Sequence, residues 1–249
     1  MLRLATWNVW FSPHQLDARA ELLLEELARC DLDAICLQEV TPRFVELLRV
    51  HPSFGAYTRL EALDDEQGYG AVLLTRLPVQ RSQRLELPTS MGRHLLLARL
   101  EAPSGAPFTL ATAHLESRRW NGDVRIEQLD AALPALRGGG CDAVFCGDFN
   151  FDDGWDEDRH LRAATDFRDV WGALRGAEDG YTVDTARNAM TAWHKGKEKQ
   201  TRYDRVLLHT PHDTLRPSHV ALLGTCAHPG DPALFPSDHF GLLAAFAHR

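Results

Sequence analysis

Short apolar runs set the frame for this chain. They fall at 2–9, 33–40, 70–77, 93–101, 107–115, 142–150, 202–209, 219–224 and 239–247, divided by turn residues such as the Ala-Pro-Ser-Gly-Ala-Pro stretch at 102–107. Runs of this length, bounded this way, read as strands. The first alternates: Leu2, Leu4, Thr6 and Asn8 share one face, and Arg3, Ala5, Trp7 and Val9 share the other. No segment recurs at a period of roughly 20–50 residues, which sets aside a solenoid.

Helical spacing appears between the strands. Leu16, Ala20, Leu23, Leu24 and Leu27 make one stripe. Thr41 is placed to cap a second helix, with Pro42 in its first turn and Phe44, Leu47 and Leu48 facing inward. Asp123 is expected to cap a third, carrying Ile126, Leu129, Ala132, Leu133 and Leu136 to a stop at Gly138, Gly139 and Gly140. Many strands with helices in two places predict an α+β fold, with two sheets facing each other and helices outside. No linker divides residues 1–249, so they are read as a single domain.

Composition matters for what it excludes. Lys plus Arg is 27 and Asp plus Glu is 35, a formal charge of −8. Such a chain is unsuited to coating duplex nucleic acid by bulk charge, but a local phosphate site remains open to it. The five cysteines form no Cys-x-x-Cys pair, and Cys36, Cys141 and Cys146 lie in or beside apolar runs. They read as small core residues of a reduced compartment. The first residues read as a strand rather than a leader, and no run could span a bilayer. An intracellular, cytoplasmic protein (nuclear in a eukaryote) without membrane contact is expected.

The polar ends of the strands carry the chemistry. Asn8 closes the first strand and Glu39 the second. His114 and Glu116 close the 107–115 strand, Asp148 and Asn150 the 142–150 strand, and Asp238 and His239 precede the last. One such ending is unremarkable. Several, on strands lying side by side, would converge at one edge of the two sheets. Hard oxygen donors without thiolates suit Mg²⁺ or Mn²⁺ rather than structural zinc. A divalent ion beside amides and imidazoles suits attack of water on a phosphodiester, with a carboxylate orienting or deprotonating the water.

The stretches TWNVW (6–10), LQEV (37–40), HLES (114–117), GDFN (147–150) and SDH (237–239) follow one another in an order that resembles the endonuclease/exonuclease/phosphatase superfamily, across nearly the whole chain. The resemblance implies a four-layer α/β/β/α sandwich of two mostly antiparallel sheets flanked by helices, and Mg²⁺-dependent phosphoester hydrolysis. Within that superfamily, PTSMGRHLL (88–96), HLESRR (114–119), YTVDT (181–185), TRYDRVLL (201–208) and FPSDHFGLL (235–243) look like the catalytic domain of the tyrosyl-DNA phosphodiesterase 2 family.

That likeness implies hydrolysis of the 5′-phosphotyrosyl bond left on DNA by a trapped topoisomerase, leaving a 5′-phosphate, with some action on 5′-tyrosyl RNA. The partner would be the 5′ end of DNA carrying the adduct, as a single-stranded overhang, and the protein a monomer. By the same likeness Glu39 is a ligand of Mg²⁺ (or Mn²⁺) and Asp238 the closing metal-side carboxylate. Asn8, Asp148 and Asn150 position the water and the phosphate, with Asp148 as base. His114, Ser117, Arg119 and Arg93 fall at phosphate-facing positions. His239 matches a transition-state histidine, oriented by Asp204. The chain departs from the family at Asp152, where an arginine is common, and at Val183, where an aromatic is common. A general DNA/RNA nuclease, a small-molecule phosphoesterase and a catalytically silent binding module remain alternatives.

Lysine is rare: Lys195, Lys197 and Lys199 are the only three, against 24 arginines. With His194 and Arg202 they form one basic loop before the 202–209 strand, where a nucleic acid backbone could meet it. Trp193 and Tyr203 are expected to stack on a base there. Trp7, Trp10 and Trp171 sit on apolar faces and read as core. The acidic run Asp152, Asp153, Asp156, Glu157 and Asp158 is open to two readings, a second ion site or repulsion of the wrong end of a substrate.

Overall fold

The structure of the chain is a computed structural model that describes residues 1–64 and 66–248. The first half runs β1 (Leu2–Asn8), α1 (Leu16–Arg29), β2 (Ala34–Val40), α2 (Pro42–Val50), β3 (Thr58–Asp64), β4 (Tyr69–Thr75), β5 (Val79–Glu86), β6 (His94–Glu101), β7 (Pro107–His114), α3 (Gly122–Arg137) and β8 (Asp142–Asp148). The second runs α4 (Asp156–Ala163), β9 (Phe167–Asp169), α5 (Val170–Arg175), β10 (Val183–Asp184), α6 (Ala189–Lys195), β11 (Gln200–Thr201), β12 (Asp204–His209), β13 (Leu215–Leu223) and β14 (Gly241–His248).

Two six-stranded sheets stack face to face. Their orders are β13-β14-β1-β2-β4-β3 and β5-β6-β7-β8-β12-β9. Each has one central parallel pair, β1/β2 and β7/β8, and its other pairs are antiparallel. A parallel pair needs a crossover, and α1 and α3 supply it. Leu2, Leu4, Leu110, Val144, Cys146, Val206 and Leu208 interlock between the sheets. Leu23, Leu24 and Leu27 of α1 and Phe44 and Leu48 of α2 cover the outer face of the first sheet. Leu129, Leu133 and Leu136 of α3 and Leu161 of α4 cover that of the second. The layers are therefore α/β/β/α, as expected.

Thr41 caps α2 by accepting from Phe44 N at 3.2 Å. The start of α3 differs from expectation: the helix begins at Gly122, Asn121 holds the cap position without a side-chain cap bond, and Asp123 lies in the first turn. There Asp123 still favours the positive end of the helix. Ile126 is half-buried, because the inward side of the first turns is taken by the buried Arg125 and Gln128. In α2, Val45 is buried and Leu47 is half-buried. The strand expected at 202–209 starts at Asp204, that at 219–224 starts earlier at Leu215, and that at 239–247 starts at Gly241. Trp7, Trp10 and Trp171 are buried, as are Cys36, Cys141 and Cys146, and all five cysteines are free thiols. Among the described residues no helix is long and apolar enough to cross a membrane.

Candidate active site

The gradient from core to cleft is written along each central strand. On β1 the inward positions run Leu2, Leu4, Thr6, Asn8; on β7, Phe108, Leu110, Thr112, His114; on β8, Val144, Cys146, Asp148. Strand β12 enters antiparallel, so its first residue, Asp204, lies opposite Asp148, as His114 does from the other side. The middle of this gradient is a buried polar link. Gln38 donates to Thr112 Oγ1 at 3.0 Å and to Thr6 Oγ1 at 3.1 Å, which ties the two sheets together just below the cleft.

Glu39 reaches the cleft through a local break in β2. By simple alternation it would point with Ile35 and Leu37 toward the outer helices. The register shifts between Leu37 and Val40, and Glu39 itself has φ 59. Val40 then takes the outward place and Glu39 turns into the cleft. A left-handed non-glycine residue costs on the order of 1 kcal/mol or more, and such residues gather at functional sites. Asn150, at φ 55, is a second case, held by its N–H on Asp148 Oδ1 at 2.9 Å. Gly147, before Asp148, has φ 146, and a Cβ there would lie 2.0 Å from Ala113 O. Only glycine lets β8 lie this close to β7 and present Asp148.

Asp148 is the hub. Its Oδ2 accepts from Asn8 Nδ2 at 3.0 Å and lies 3.5 Å from His114 Nε2 and 4.0 Å from His239 Nδ1. The Asn8 amide is oriented by its Oδ1, which accepts from Trp10 N at 3.0 Å, so its Nδ2 faces the carboxylates and also reaches Glu39 Oε1 at 3.1 Å. Burial alone would raise the Asp148 carboxyl, but the imidazoles, Asn8 and the Asn150 N–H outweigh it and hold it below the usual range.

The two histidines have opposite environments. Arg93 Nη1 is 3.1 Å from His114 Nδ1. A guanidinium can only donate, so Nδ1 accepts and Nε2 carries the proton, directed at Asp148. Burial and then Arg93 push the His114 pKa down to about 3, leaving a neutral ring. Of the two rings beside Asp148, the cationic one is therefore His239. That ring lies 2.8 Å from Asp204 Oδ2, and the carboxylates of Asp204, Asp238 and Asp148 overcome its burial and raise it to about 10. Arg93 Nη2 also donates to Ser117 Oγ at 3.0 Å, and Ser117 Oγ lies 3.4 Å from Asn150 Nδ2. Arg93, His114, Ser117 and Asn150 thus form one row of donors.

Several residues that position this site were not singled out from the sequence. Trp7, read as plain core, donates its indole N–H to His239 O at 2.9 Å. Ser237 Oγ donates to Asn8 O at 2.6 Å and accepts from His239 N at 3.2 Å. Arg19, fully buried, donates to Val9, Trp10, Ser12 and His14 carbonyls and shapes the loop after Asn8. Thr182 Oγ1 accepts from Tyr203 N and Asp204 N, each at 3.1 Å. Glu116 lies under the cleft rather than in it. It accepts from Thr89 Oγ1 and from Ser90 N and Oγ, pinning the loop whose Thr89 Oγ1 receives Arg93 N. The sequence marks Glu116 as one of the polar strand ends, and it is the one among them that the structure places outside the cleft lining.

The donor set fits a hard divalent cation. Burial and then Asp238 raise the Glu39 carboxyl to about 7, while Phe11 N–H, Asn8 and His239 counter only part of that. The excess negative charge is held on oxygen. Atoms of Asp148, Asp204 and His239 lie within 4.8 Å of one another, a spacing an ion could bridge. The hydrogen bond between Asp204 and the charged His239 ring makes that group a proton-holding pair instead, so Glu39 is the better ion ligand.

Most of the acidic run is paired with arginines. Asp153 pairs with Arg202, Arg205 and Arg162, Glu157 with the buried Arg125, Asp158 with Arg162, and Asp156 with Arg159. Asp152, at the position of the family arginine, accepts from Arg202 N at 3.0 Å. These pairs brace the loop after Asn150. A cavity of about 560 Å³ lies behind it, and Asp153, Asp158, Asp169 and Arg202 of its lining are engaged in ion pairs.

Beside Asn150 opens a cationic cavity of about 620 Å³, walled by Arg119, Trp155, Lys197, Lys199 and Tyr203. The Arg119 guanidinium sits 3.6 Å over the Trp155 ring and the Lys199 ammonium 4.4 Å over Tyr203. Trp193 is not part of this wall. It is exposed and rests on His14, with ring centroids 5.1 Å apart.

The family described as endonuclease/exonuclease/phosphatase matches residues 5–239. Tyrosyl-DNA phosphodiesterase 2 of Danio rerio is 30% identical over 254 residues, covering 98% of this chain and 66% of that protein. The chain thus spans slightly under two thirds of that relative's length. A crystal structure of the Danio rerio protein with a single-strand DNA product superposes with a TM-score of 0.85 at 28% identity, covering 99% of this chain and 98% of that one. A mannosyl-6-phosphatase of Bacteroides thetaiotaomicron shares the fold, with a TM-score of 0.77 at 15% identity, covering 99% of this chain and 100% of that one.

Proposed function

Because the chain belongs to the endonuclease/exonuclease/phosphatase family, we propose that its polar edge is a divalent-metal-dependent phosphodiesterase site that hydrolyses the 5′-phosphotyrosyl bond at DNA ends and leaves a 5′-phosphate. The observation that carries the hydrolytic part is the convergence on Asp148. An ionised carboxylate lies between a neutral N–H donor, His114, and a cationic one, His239. Asp148 takes the proton of the attacking water, which Asn8 and Asn150 help to hold. Charge developing on the phosphoryl oxygens meets donors already in place: His239, His114, Arg93 and Ser117. Mg²⁺ (or Mn²⁺) bound from Glu39, with the Asp238 charge beside it, would supply Lewis-acid stabilisation of the departing tyrosyl oxygen.

The substrate rests on the relatives and on the cationic cavity. Lys197, Lys199 and Arg119 suit the backbone of an unpaired strand, and Trp155 and Tyr203 offer ring faces at its start. A chain of net charge −8 then grips a strand end rather than a duplex. On this reading the protein acts as an intracellular monomer on a single-stranded 5′ overhang.

The test is one oligonucleotide series with 5′-tyrosyl, 5′-phosphate and 5′-hydroxyl ends, run with Mg²⁺ and with chelator. Release of tyrosine that leaves an intact 5′-phosphate strand is expected, and chelator should abolish it. Internal cutting, or indifference to the 5′ group, would move the substrate to a general DNA/RNA nuclease or a small-molecule phosphoesterase of the same chemistry.

A further inference from the structure

Phe11 carries an exposed ring to the rim of the cleft, and the loop around it is fixed. The buried Arg19 guanidinium donates to Trp10 O and Ser12 O, on either side of Phe11. Trp10, at φ 62, turns the chain toward Glu39, and Phe11 N donates to Glu39 Oε2 at 3.0 Å. One face of the Phe11 ring lies flat on Tyr69, with centroids 4.7 Å apart and planes at 6°. The Arg93 guanidinium also lies over the Tyr69 ring, 5.6 Å from its centroid. Arg93, Tyr69 and Phe11 therefore make a connected row of flat groups, from the donors of the cleft out to its rim. Phe11 is 46% exposed, and the ring face turned away from Tyr69 is the open one.

The two sheets set the place of this ring relative to the reaction. Asp148 and Asn150, which hold the water on the proposed reaction, stand at the end of β8 in the second sheet. Glu39 lies in the last turn of β2, Phe11 follows β1 and Tyr69 opens β4, all in the first sheet. In displacement at phosphorus the attacking and departing oxygens lie roughly in line. Water delivered from the second-sheet wall sends the departing oxygen toward the first-sheet wall, where Glu39 and Phe11 stand. The cationic cavity is walled by Arg119, Trp155 and Tyr203, which flank β7, β8 and β12 of the second sheet. The strand and the departing group thus occupy different walls. An open ring face takes another ring, offset or edge-on, and is indifferent to the peptide behind it.

Resting on the phosphotyrosyl reading of the site, we propose that Phe11 is a specificity-determining residue whose open face, backed by Tyr69, receives the aromatic ring of the departing tyrosine. Phe11 acts on the adduct and not on the product strand, which has no ring to offer it.

The test uses strands of one sequence and the whole chain with Mg²⁺. A 5′-tyrosyl strand is the substrate, and strands with 5′-phosphate and 5′-ethyl phosphate ends are competitive inhibitors of its cleavage. Phe11→Ala should lower kcat/KM for the tyrosyl strand roughly three- to tenfold, the scale of one lost ring pair. Both inhibition constants should stay within about twofold of wild type. Phe11→Trp should keep the wild-type preference. Phe11→Leu, apolar but without a ring, should fall as Phe11→Ala does, and it stands in for that variant if alanine does not fold. A loss below about twofold on the tyrosyl strand, or an equal weakening of all the strands, would overturn the proposal. A wild-type protein that releases no tyrosine overturns it by a different route, since that outcome removes the substrate reading itself.

Discussion

The two walls of the cleft hold the same residue type at similar burial and give it opposite charge. On the β6–β7 side His114 is 5% exposed, faces Arg93 and is neutral. On the β12–β14 side His239 is 7% exposed, faces Asp204 and is cationic. Burial disfavours the charged ring on both sides. What decides is the partner that the neighbouring strand or loop delivers: a guanidinium from the loop pinned by Glu116, or a carboxylate at the first position of β12. The site thereby obtains one donor that never titrates near neutrality and one that stays charged, on either side of the Asp148 carboxylate.

The largest way to break this arrangement is to remove its centre. Asp148→Asn should lower turnover by about a thousandfold, the scale of losing a positioned base. The fold should survive, since an amide has the shape of the carboxyl and its one oxygen can still accept from the Asn150 N–H, while the bond from Asn8 is lost. Single-turnover rates with a thermal melt decide it, and a rate within about threefold of wild type removes Asp148 from the role of base.

The next effect separates the walls. Asp204→Asn takes the anion from His239 and should cost about a hundredfold in kcat, the upper end of what losing the outer partner of a functional histidine costs. The ring should then titrate well below about 10, and the alkaline limb of the pH–rate profile should move down with it. An unmoved His239 signal in NMR would mean that Asp238 and Asp148 alone hold the charge.

On the other wall, Arg93→Gln should act mainly on binding. It removes the cation beside His114 and Ser117, proposed to meet the phosphate, and should raise KM about tenfold with a smaller loss in kcat. It should also let His114 titrate above about 3. A kcat loss as deep as that of Asp204→Asn would mean that the walls are not different in kind.

The sequence disclosed the central parts of this design and missed its margins, for physical reasons. Asn8, His114 and Asp148 were legible because central strands are apolar up to the residue where they meet the cleft, so the polar end stands out. Asp204 came only from the family resemblance, its strand being expected to begin at residue 202 rather than at Asp204 itself. β3 and β5 were not expected. Both are edge strands, and β5 carries Gln80, Arg81, Ser82, Gln83 and Arg84 to solvent, the polar dress by which edges avoid pairing with other chains. Position along the chain could not show that Glu39 turns inward through a break in β2, or that the run Asp152 to Asp158 is neutralised, because its arginines come from α3 and β12 as well as from α4. Trp7 looked like core and is core. Its N–H on His239 O became visible only once β14 lay beside β1.

The smallest effect tests the comparison through stability alone. For His114 the folded value, about 3, lies below the ordinary 6.5. The unfolded chain binds the extra proton between those values, so this contribution is full above about 6.5 and is lost as pH falls toward 3. For His239 the folded value, about 10, lies above 6.5. Its contribution is full below about 6.5 and is lost as pH rises through 10. The walls should therefore fail at opposite ends of the scale. Carboxylates titrate on the acid side too, so the readout is each variant's melting temperature minus that of wild type across pH 4 to 10. Arg93→Gln, which relieves His114, should soften the acid-side loss by a few degrees, on the scale of about 1 kcal/mol for a domain this size, and leave the alkaline side unchanged. Asp204→Asn should flatten the alkaline side, and on the acid side it should remove only the titration of the Asp204 carboxyl itself, which burial raises. If both variants bend the same limb, the two rings share one electrostatic environment, and the division of the cleft into a neutral and a charged wall is wrong.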